Sequence, residues 1–417
     1  MGLGLNGGAV EDALFFIRQG AHLTITDLKT ARELAPSLQK LKACKARYVL
    51  GKHRKRDFIS ADLIIKNPGV PDNSPYLKIA SAHGIPVDTS AGIFAELSDM
   101  SKVIGVTGTK GKSSTAALIH AVLNIKFPGA YFGGNIGSSP LKFLEKNKRG
   151  EWGVLELSSW QLQGMRPHKK SPGIAIITNI VPEHLNRHGT FENYINAKKN
   201  IFRYQHETDA LFLNCDEALL RKISKKAPAR VIMFSAKAAP RSTHHPANVN
   251  AALAVAKFLD IDHMTAKAAI NNFLGLEGRM QKIARIGSTE VYNDTTATHP
   301  YATQNSLSRL SGKKISLIVG GEDKNLDYAE LARILLKIYK VVLLPGSASD
   351  KIMSRYIKLP DNFIMASSLV QAVREGMATK PDILLLSPAA ASFNMFKNEF
   401  DRGKKFTRII KKLIDEK

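Results

Sequence analysis

The sequence predicts an α/β fold of several domains, because short apolar runs alternate with amphipathic stretches along almost the whole chain. Its 417 residues exceed one ordinary domain and fit two or three. Several apolar runs end in Gly, Pro, Asn or Ser, as parallel strands do where ligand-binding loops follow. The nine predicted strands are 22–27, 63–66, 103–107, 153–157, 173–178, 210–213, 315–319, 341–344 and 383–386.

Two breaks in this pattern predict three domains. The break at 94–102 precedes a strand that opens into a glycine-rich loop, and the break at 275–279 separates a helix-rich stretch from a new run of strands. We therefore expect a Rossmann-like N-terminal domain over 1–95, a central P-loop domain with a parallel sheet over 96–277, and a Rossmann-like C-terminal domain over 278–417.

Composition indicates a globular protein of the cytoplasm. Hydrophobic residues make up 44% of the chain and charged residues 23%, enough for real cores with a solvated surface. No apolar run approaches the roughly eighteen residues that cross a bilayer, so no membrane partner is expected. The N-terminus lacks the charged-then-apolar order of a signal peptide. Cys44 and Cys215 are too few for a disulfide framework or a cysteine-built metal site.

The chain is strongly basic, with 60 Lys and Arg against 36 Asp and Glu and a net charge of +24. Such a field attracts polyphosphates of any kind, including nucleic acids. The basic residues are spread along the chain, however, without a basic tail or a stripe interleaved with aromatic residues. We therefore expect anionic small-molecule substrates and no nucleic-acid partner.

Residues 103–115, VIGVTGTKGKSST, join an apolar strand to a glycine-rich turn and a predicted helix at 113–123. The backbone N–H groups of such a turn and the helix dipole attract phosphate. Lys112 would reach the β- and γ-phosphates, and the Ser113 hydroxyl would ligate Mg²⁺. Val106 stands where a standard P-loop has its first glycine, so this is a Gly-Thr-x-Gly-Lys variant. A glycine-rich turn with a surface lysine is the alternative, which the flanking strand and helix disfavour.

This loop resembles the signature of Mur ligases and folylpolyglutamate synthetases, which are ATP-dependent amide-forming ligases. The resemblance covers nearly all 417 residues and implies that the loop holds ATP. Four further segments match in order: Gly134-Asn135-Ile136-Gly137, ELSSWQL from Glu156, NIVPEHLNRHG from Asn179 and YINAKKNI from Tyr194. The implied phosphate contacts are Gly108, Thr109, Lys110, Gly111, Lys112, Ser113 and Ser114.

By this resemblance Glu156 and His184 hold a second Mg²⁺, beside the ion at Ser113. Lys198 resembles the family's carbamylated lysine, whose CO₂ adduct supplies an anion near that metal. Together with Lys112, these three residues are the predicted catalytic set. The alternatives are a hydrogen-bonded structural histidine and an exposed helix lysine, and neighbouring Lys199 competes with Lys198. Glu183 and Asn186 depart from the family pattern, since both stand where the family usually has Asp.

The resemblance adds three further contacts to the nucleotide. Asn248, in HHPAN at 244–248, lies near the adenine in the family, with His245 here in place of an Asn. Arg279, in LEGRM, resembles an arginine that meets the ATP phosphates. Asp294 belongs to NDTTAT at 293–298, where Thr296 replaces the family's Lys.

The segment LLLSPAAASFNMFKNEFDRGKKF at 384–406 resembles the members of the family that add D-glutamate. Two substrate carboxylates require hydroxyls, a cation and backbone donors. The resemblance implies that Thr298, Lys324 and Ser392 provide them and that Phe400 packs on the ligand. Asn394 takes the usual Asp position.

Residues 2–7, GLGLNG, form a complete GxGxxG, and Asp27 ends the next strand. On paper this is the dinucleotide fingerprint, although the strand that should precede the glycines is absent. The resemblance implies instead that the loop grips the UDP of UDP-N-acetylmuramoyl-L-alanine. No hydride-transfer constellation supports NAD. The implied substrate contacts are Leu5, Asn6, Gly7, Asp27, Asn67, Gly69 and Asn135.

The resemblance therefore implies an enzyme that uses ATP and two Mg²⁺ ions to add D-glutamate through an acyl phosphate, and we expect it to be a monomer. A folylpolyglutamate-synthetase-like enzyme would add L-glutamate to folate instead, but the GxGxxG domain and the 384–406 segment disfavour it. A non-catalytic protein that binds ATP without releasing phosphate is the other alternative.

Overall fold

The computed structural model describes residues 1–5, 7–136, 138–237, 244–392 and 395–416. It consists of two compact units, Met1–Phe273 and Leu274–Lys417. Both combine parallel strands with covering helices, which confirms the predicted α/β class. The domain limits after residues 95 and 277 stay predictions. Among the described residues, no helix is both long and apolar enough to cross a membrane.

The first ninety or so residues of the first unit form two parallel strand pairs surrounded by helices. Strand β1 (Thr24–Asp27) pairs with β2 (Arg47–Leu50), and β3 (Ile64–Ile65) pairs with β4 (Val87–Asp88). The helices are α1 (Gly8–Arg18), α2 (Ala35–Lys40), α3 (Lys55–Ile59), α4 (Pro75–Ala82) and α5 (Ser90–Leu97).

Met1 and Gly2 connect these two strand pairs. The amino group of Met1 donates to Ile65 O at 2.8 Å, and the Gly2 N–H donates to Thr26 O at 2.8 Å. The Met1 carbonyl accepts from the Asn67 N–H at 3.0 Å. A cavity of about 590 Å³ lies beside them. Met1 and Gly2 therefore lie between the two strand pairs, and no strand precedes the glycine turn among the described residues, as the sequence predicts.

A six-stranded parallel sheet, in the order β10-β9-β8-β5-β7-β6, forms the rest of the first unit. Because all six strands are parallel, their carboxyl ends lie along one edge, where ligand-binding loops collect. Separate clusters of buried apolar residues cover its two faces. The strands are β5 (Val103–Thr107), β6 (Tyr131–Gly134), β7 (Gly153–Glu156), β8 (Ile174–Ile177), β9 (Ala210–Asn214) and β10 (Arg230–Phe234).

Eight helices and three short 3-10 turns complete the described part of the first unit. The 3-10 turns are Met100–Lys102, Pro140–Phe143 and Arg166–His168. The helices are α6 (Lys112–Lys126), α7 (Leu144–Lys148), α8 (Ser159–Met165), α9 (Leu185–His188), α10 (Phe191–Lys199), α11 (Ala218–Ser224), α12 (Pro246–Phe258) and α13 (His263–Asn272).

The second unit has a six-stranded sheet in the order β11-β12-β16-β13-β14-β15, in which only β11 is antiparallel. The strands are β11 (Gln281–Ile286), β12 (Thr289–Asn293), β13 (Ile315–Gly320), β14 (Lys340–Leu344), β15 (Phe363–Met365) and β16 (Ile383–Leu386). The helices are α14 (Pro300–Arg309), α15 (Ala329–Leu335), α16 (Ser347–Met353), α17 (Leu369–Ala378) and α18 (Glu399–Asp415).

Arg402 in α18 is fully buried and ties this helix to two loops at strand ends. Its guanidinium donates to Thr295 O at 2.9 Å, to Thr295 Oγ1 at 3.0 Å and to Ala390 O at 3.3 Å. Burial lowers the pKa of Arg402 to about 10. We expect Arg402→Ala to destabilise the protein by about 3 kcal/mol, because it leaves buried carbonyls unpaired and opens a cavity.

Urea unfolding measures this effect. Arg408 is exposed on the same helix, so Arg408→Ala is the matched control and should change the free energy of unfolding by less than about 0.5 kcal/mol. Equal stability of the two variants would show that Arg402 does not hold the loops.

Candidate functional site

The loop between β5 and α6 has the backbone geometry of a phosphate cradle. Gly108 has φ 150°, and a Cβ there would lie 2.0 Å from Thr178 Oγ1. Gly111, which caps α6, has φ 82°, and its Cβ would lie 2.8 Å from Asn248 Oδ1. Only glycine fits at either position. The contact also places Asn248, a predicted nucleotide residue, directly against the loop.

The residues after β8 fix the shape of this loop. Asn179 accepts from the Lys110 N–H through Oδ1 at 2.9 Å and donates from Nδ2 to Lys110 O at 3.0 Å. Thr178 Oγ1 donates to the same carbonyl at 2.7 Å. The Thr109 N–H donates to Asn179 O at 2.9 Å. The residues after β8 thus determine the conformation of the loop, and such preorganisation lowers the entropic cost of binding.

Three polar side chains stand at the start of α6. The Lys112 ammonium donates to Thr109 O at 2.9 Å, so it is folded back over the loop. Ser113 is buried in the first turn of the helix. Lys110 is exposed instead and forms an ion pair with Glu183 at 2.6 Å. This pair lowers the pKa of Glu183 even though burial alone would raise it.

Glu156 ends β7, which lies next to the strand of the phosphate loop. Its side chain is buried, and Oε1 accepts from Asn135 Nδ2 at 3.0 Å. Within the described part of the chain, Oε2 has no hydrogen-bond partner. A buried carboxylate with an unpaired oxygen is costly unless a cation binds it. The donor set at this position therefore fits a hard metal ion.

His184 starts α9 in the left-handed region, with φ 56°. A non-glycine residue rarely adopts this conformation, and such strain is often found at functional sites. The ring centroid lies 4.9 Å from that of Trp160, and the side chain is 44% exposed. Burial and the charges of Lys112 and Lys198 lower its pKa, against the opposing effect of Glu183. A neutral imidazole is the form that binds a metal.

Lys198 lies in α10, almost entirely buried beneath the phosphate loop. Its Nζ donates to Gly108 O at 2.7 Å and lies 4.6 Å from the ring centroid of Tyr194. Burial, reinforced by the charge of Lys112, lowers its pKa to about 7. The charges of Glu183 and Glu156 act in the opposite direction and favour the protonated amine. Lys199, the competing residue, is only half-buried.

The described residues contain no ready-made cluster of three His, Cys, Asp or Glu side chains able to hold a metal ion. Glu156 and His184 alone are two ligands. A complete metal site at this edge of the sheet would need Ser113, a modified Lys198 or oxygen atoms from a bound ligand as further ligands.

Asp27 organises the N-terminal glycine turn. Its Oδ2 accepts from the Gly4 N–H at 2.9 Å, and Oδ1 accepts from the Lys29 N–H at 2.8 Å. Leu5 is 50% exposed, as an open binding loop requires. In the next turn, Asn67 Oδ1 accepts from the Gly69 N–H at 2.9 Å. Gly7 begins α1 with φ 88°, and the prediction for Asn6 lies outside the described residues.

In the second unit, three residues of the predicted amino-acid pocket lie on loops, two of which are connected by backbone hydrogen bonds. Lys324 Nζ donates to Thr298 Oγ1 at 3.2 Å. Glu322 and Ala391 exchange backbone hydrogen bonds at 3.0 and 2.9 Å, which brings the Lys324 loop beside Ser392. Ser392 Oγ is buried and has no partner in the described part of the chain. A cation and two hydroxyls at joined strand ends form a suitable site for a carboxylate.

The other predicted site residues of the second unit differ in their exposure to solvent. Phe400 is 47% exposed at the start of α18, and Arg279 is exposed before β11. Asp294 is buried, and its carboxylate accepts from Ser306 Oγ, Ser387 Oγ and the Met280 N–H at 2.7, 2.7 and 3.0 Å. Burial raises its pKa. Because both of its oxygens already have protein partners, Asp294 as arranged here joins three segments of its own unit.

Several residues that shape the site carry no individual signal in the sequence. Asn179 and Tyr194 lay inside matched segments, but nothing in their types showed that they would hold the phosphate loop. Arg187 also lies inside a matched segment, and its residue type predicts no particular contact. Its side chain nevertheless donates to Pro68 O, more than a hundred positions earlier in the sequence. Long-range contacts of this kind leave no periodic signal in one sequence.

Comparison with known proteins gives three family models in succession along the chain. Residues 1–89 match the model "Mur ligase MurD-like, N-terminal domain". Residues 106–309 match "Mur ligase middle domain". Residues 278–390 match "Mur ligase, glutamate ligase domain".

Curated relatives match over nearly their full length. The UDP-N-acetylmuramoylalanine--D-glutamate ligase of Roseiflexus sp. (strain RS-1) is 37% identical, covering 98% of this chain and 97% of that protein. The ligase of the same name from Borreliella burgdorferi (strain ZS7) is also 37% identical, covering 99% and 97%. The one from Streptococcus pneumoniae (strain CGSP14) is 31% identical, covering 99% and 96%.

Solved structures of lower identity share the fold. The UDP-N-acetylmuramate-alanine ligase MurC of Thermotoga maritima superposes with a TM-score of 0.64 at 17% identity, covering 100% of this chain and 98% of that one. A MurF structure from Acinetobacter baumannii gives a TM-score of 0.59 at 16% identity, covering 86% and 93%.

Proposed function

Because this chain belongs to the Mur ligase family, we propose that it joins D-glutamate to UDP-N-acetylmuramoyl-L-alanine at the expense of ATP. Relatives named for this reaction are 31 to 37% identical over almost the whole chain. The observation that carries the proposal is the convergence of the phosphate loop, Glu156 and Lys198 at one edge of the central sheet. The reaction is a step of peptidoglycan synthesis in the cytoplasm, on which cell shape and division depend.

The phosphate loop binds the ATP phosphates through its backbone N–H groups and the amino end of α6. The Lys112 ammonium leaves the Thr109 carbonyl and binds the phosphates of ATP. There it offsets the charge that develops on the phosphates during transfer. Asn248, held against Gly111, borders the nucleotide. Arg279 and Asp294 remain proposed contacts of ATP.

Ser113, Glu156, His184 and a carbamylated Lys198 would hold the two Mg²⁺ ions. When bound, these ions neutralise charge on the phosphates and on the substrate carboxylate. The unpaired Oε2 of Glu156 supports this assignment, as do the conditions that keep the His184 ring neutral.

The reaction takes two steps. The alanyl carboxylate of the UDP-sugar attacks the γ-phosphorus, which forms an acyl phosphate and releases ADP. The neutral D-glutamate amine then attacks the acyl carbon and forms the amide bond. Phosphate leaves with the oxygen that joined it to that carbon, and the nitrogen releases one proton and keeps one N–H. Thr298, Lys324 and Ser392 bind the glutamate carboxylates, with Phe400 beside them.

The UDP end of the substrate binds the N-terminal glycine turn. Leu5, Asn6 and Gly7 contact it, with Asp27 holding the turn from behind. Asn67 and Gly69 contribute from the turn after β3. Asn135 contacts the substrate next to Glu156. The enzyme is proposed to act as a monomer.

Carbamylation is predicted at Lys198 and not at Lys199. The amine adds CO₂ only when neutral, giving a carbamate and releasing a proton, and burial keeps the Lys198 amine largely neutral above pH 7. In isotopically labelled bicarbonate, carbon NMR should show one carbamate signal that Lys198→Ala removes and Lys199→Ala retains. Below pH 7 the signal should fade as the amine gains a proton. A signal that only Lys199→Ala removed would reassign the modification.

Phosphate release tests the function as a whole. We expect release with ATP only when UDP-N-acetylmuramoyl-L-alanine and D-glutamate are both present, and much less with L-glutamate. Release driven by folate and L-glutamate would indicate the folylpolyglutamate-synthetase reaction. Binding of ATP without release under any of these conditions would indicate a non-catalytic protein.

A further inference from the structure

Arg187, in the short helix α9, connects two proposed parts of the active site. Its Nη2 donates to Pro68 O at 2.9 Å and to Val70 O at 2.7 Å, and its Nη1 donates to Gly69 O at 3.0 Å. One side chain thus satisfies three consecutive carbonyls. These carbonyls belong to the turn after β3, which we call the 67–70 turn.

The 67–70 turn has little backbone structure of its own. Pro68 has no N–H to donate, and Gly69 has the greatest conformational freedom of any residue type. Its internal hydrogen bonds are those from the Gly69 N–H to Asn67 Oδ1 and from the Val70 N–H to Asn67 O, both at 2.9 Å. A guanidinium that binds three successive carbonyls is therefore well placed to set its conformation.

At its other end, Arg187 belongs to the same turn of chain as His184. The Arg187 N–H donates to His184 O at 3.0 Å, so the two residues belong to one hydrogen-bonded turn. The guanidinium carbon also lies 5.6 Å from the centre of the Trp160 ring, within the range of a cation–π contact. The same ring packs against His184 at 4.9 Å. Trp160 thus supports both residues from one side.

We propose that Arg187 is a positioning residue that fixes the 67–70 turn relative to His184. The inference rests on the proposed function and deepens it: the turn holds the UDP-sugar, and His184 lies where its alanyl carboxylate reacts. Through its contacts, Arg187 fixes the distance between the 67–70 turn and His184. Binding of the UDP-sugar at the 67–70 turn then directs the substrate carboxylate to the phosphate loop.

Arg187→Ala should raise the KM for UDP-N-acetylmuramoyl-L-alanine by about tenfold or more and lower kcat by up to about a hundredfold, because the reacting groups are no longer held in register. The KM values for ATP and D-glutamate should stay within about twofold. Arg187→Lys should behave like the alanine variant, because an ammonium cannot bind three carbonyls in a planar fork. Arg166→Ala, at an exposed arginine of the same unit, is the control. Its kcat and KM values should match those of the enzyme without substitutions.

A binding measurement gives a readout independent of turnover. Trp160 and Trp152 are the two tryptophans, so in a Trp152→Phe background the fluorescence reports Trp160 alone. Titration with UDP-N-acetylmuramoyl-L-alanine should give a dissociation constant at least about tenfold higher in Arg187→Ala and in Arg187→Lys. If the alanine variant fails to fold, the lysine variant carries the test.

Three results would overturn the inference: an unchanged dissociation constant, equal rises in the KM of all three substrates, or a lysine variant as active as the unmodified enzyme. Its failure is separable from failure of the proposed function. An unmodified enzyme that makes no product refutes the function, whereas an active enzyme that is indifferent to Arg187 refutes only the positioning role.

Discussion

Replacing Lys112 by alanine is expected to lower the rate of ligation by about 10³-fold. The Lys112 ammonium lies over the phosphate loop and donates to Thr109 O at 2.9 Å, so it needs only a short movement to reach a bound phosphate. Its loss removes the positive charge that offsets the phosphate charge during transfer. Phosphate release with saturating ATP, UDP-N-acetylmuramoyl-L-alanine and D-glutamate measures the effect.

Lys126 provides the control, because it lies at the other end of the same helix. Its ammonium donates to Leu259 O and Asp260 O at 2.9 Å, far along α6 from the loop. Lys126→Ala should keep near-normal turnover. A Lys112→Ala protein that still released phosphate at the normal rate would remove the loop from the mechanism.

Glu156→Gln is expected to abolish most activity, by about 10³-fold, without destabilising the fold. The amide keeps the shape of the side chain and can still accept from Asn135 Nδ2. It removes a buried negative charge whose Oε2 has no hydrogen-bond partner in the described part of the chain. Without a bound cation, this buried charge destabilises the folded protein. In the absence of Mg²⁺, the Tm of Glu156→Gln should therefore equal or exceed the Tm of the parent protein.

Activity and Tm together distinguish a metal ligand from a structural residue, because loss of a metal ligand lowers the activity without lowering the Tm of the metal-free protein. Activity assays over a range of Mg²⁺ concentrations and thermal unfolding without Mg²⁺ give both. Glu145→Gln, at a side chain that is 67% exposed, should leave both unchanged. A marked fall in the Tm of Glu156→Gln would mean that the carboxylate serves the fold instead.

The sequence predicted most strands inside the two six-stranded sheets but missed β12, which lies between β11 and β16. All nine predicted strands are present, and β5 and β16 have the predicted limits, since continuous apolar runs leave little ambiguity. The undetected strands lack that signal. The strand β6 contains Gly133 and Gly134, and β10 is an edge strand with an exposed arginine at its start. Their pairing is determined by neighbouring strands and not by their own composition.

The candidate site was predictable where a short motif carries its own chemistry. The Gly-Lys-Ser turn at the end of a strand is such a motif, and its helix begins at Lys112 as the mechanism requires. Glu156 and His184 could be identified only through the resemblance, because a carboxylate or imidazole after a strand is common. The burial of Lys198 beneath the loop and the clamp formed by Arg187 depend on contacts between distant segments. No single sequence reveals these.

Activation of the alanyl carboxylate as an acyl phosphate, at the loop that contains Lys112, is the step on which the proposed function depends. The most direct measurement uses UDP-N-acetylmuramoyl-L-alanine labelled with a heavy oxygen isotope at both carboxylate oxygens, with mass spectrometry of the products. Each phosphate released during ligation should carry one labelled oxygen, while the new amide should keep the other. Unlabelled phosphate, formed together with the ligated product, would contradict this activation step.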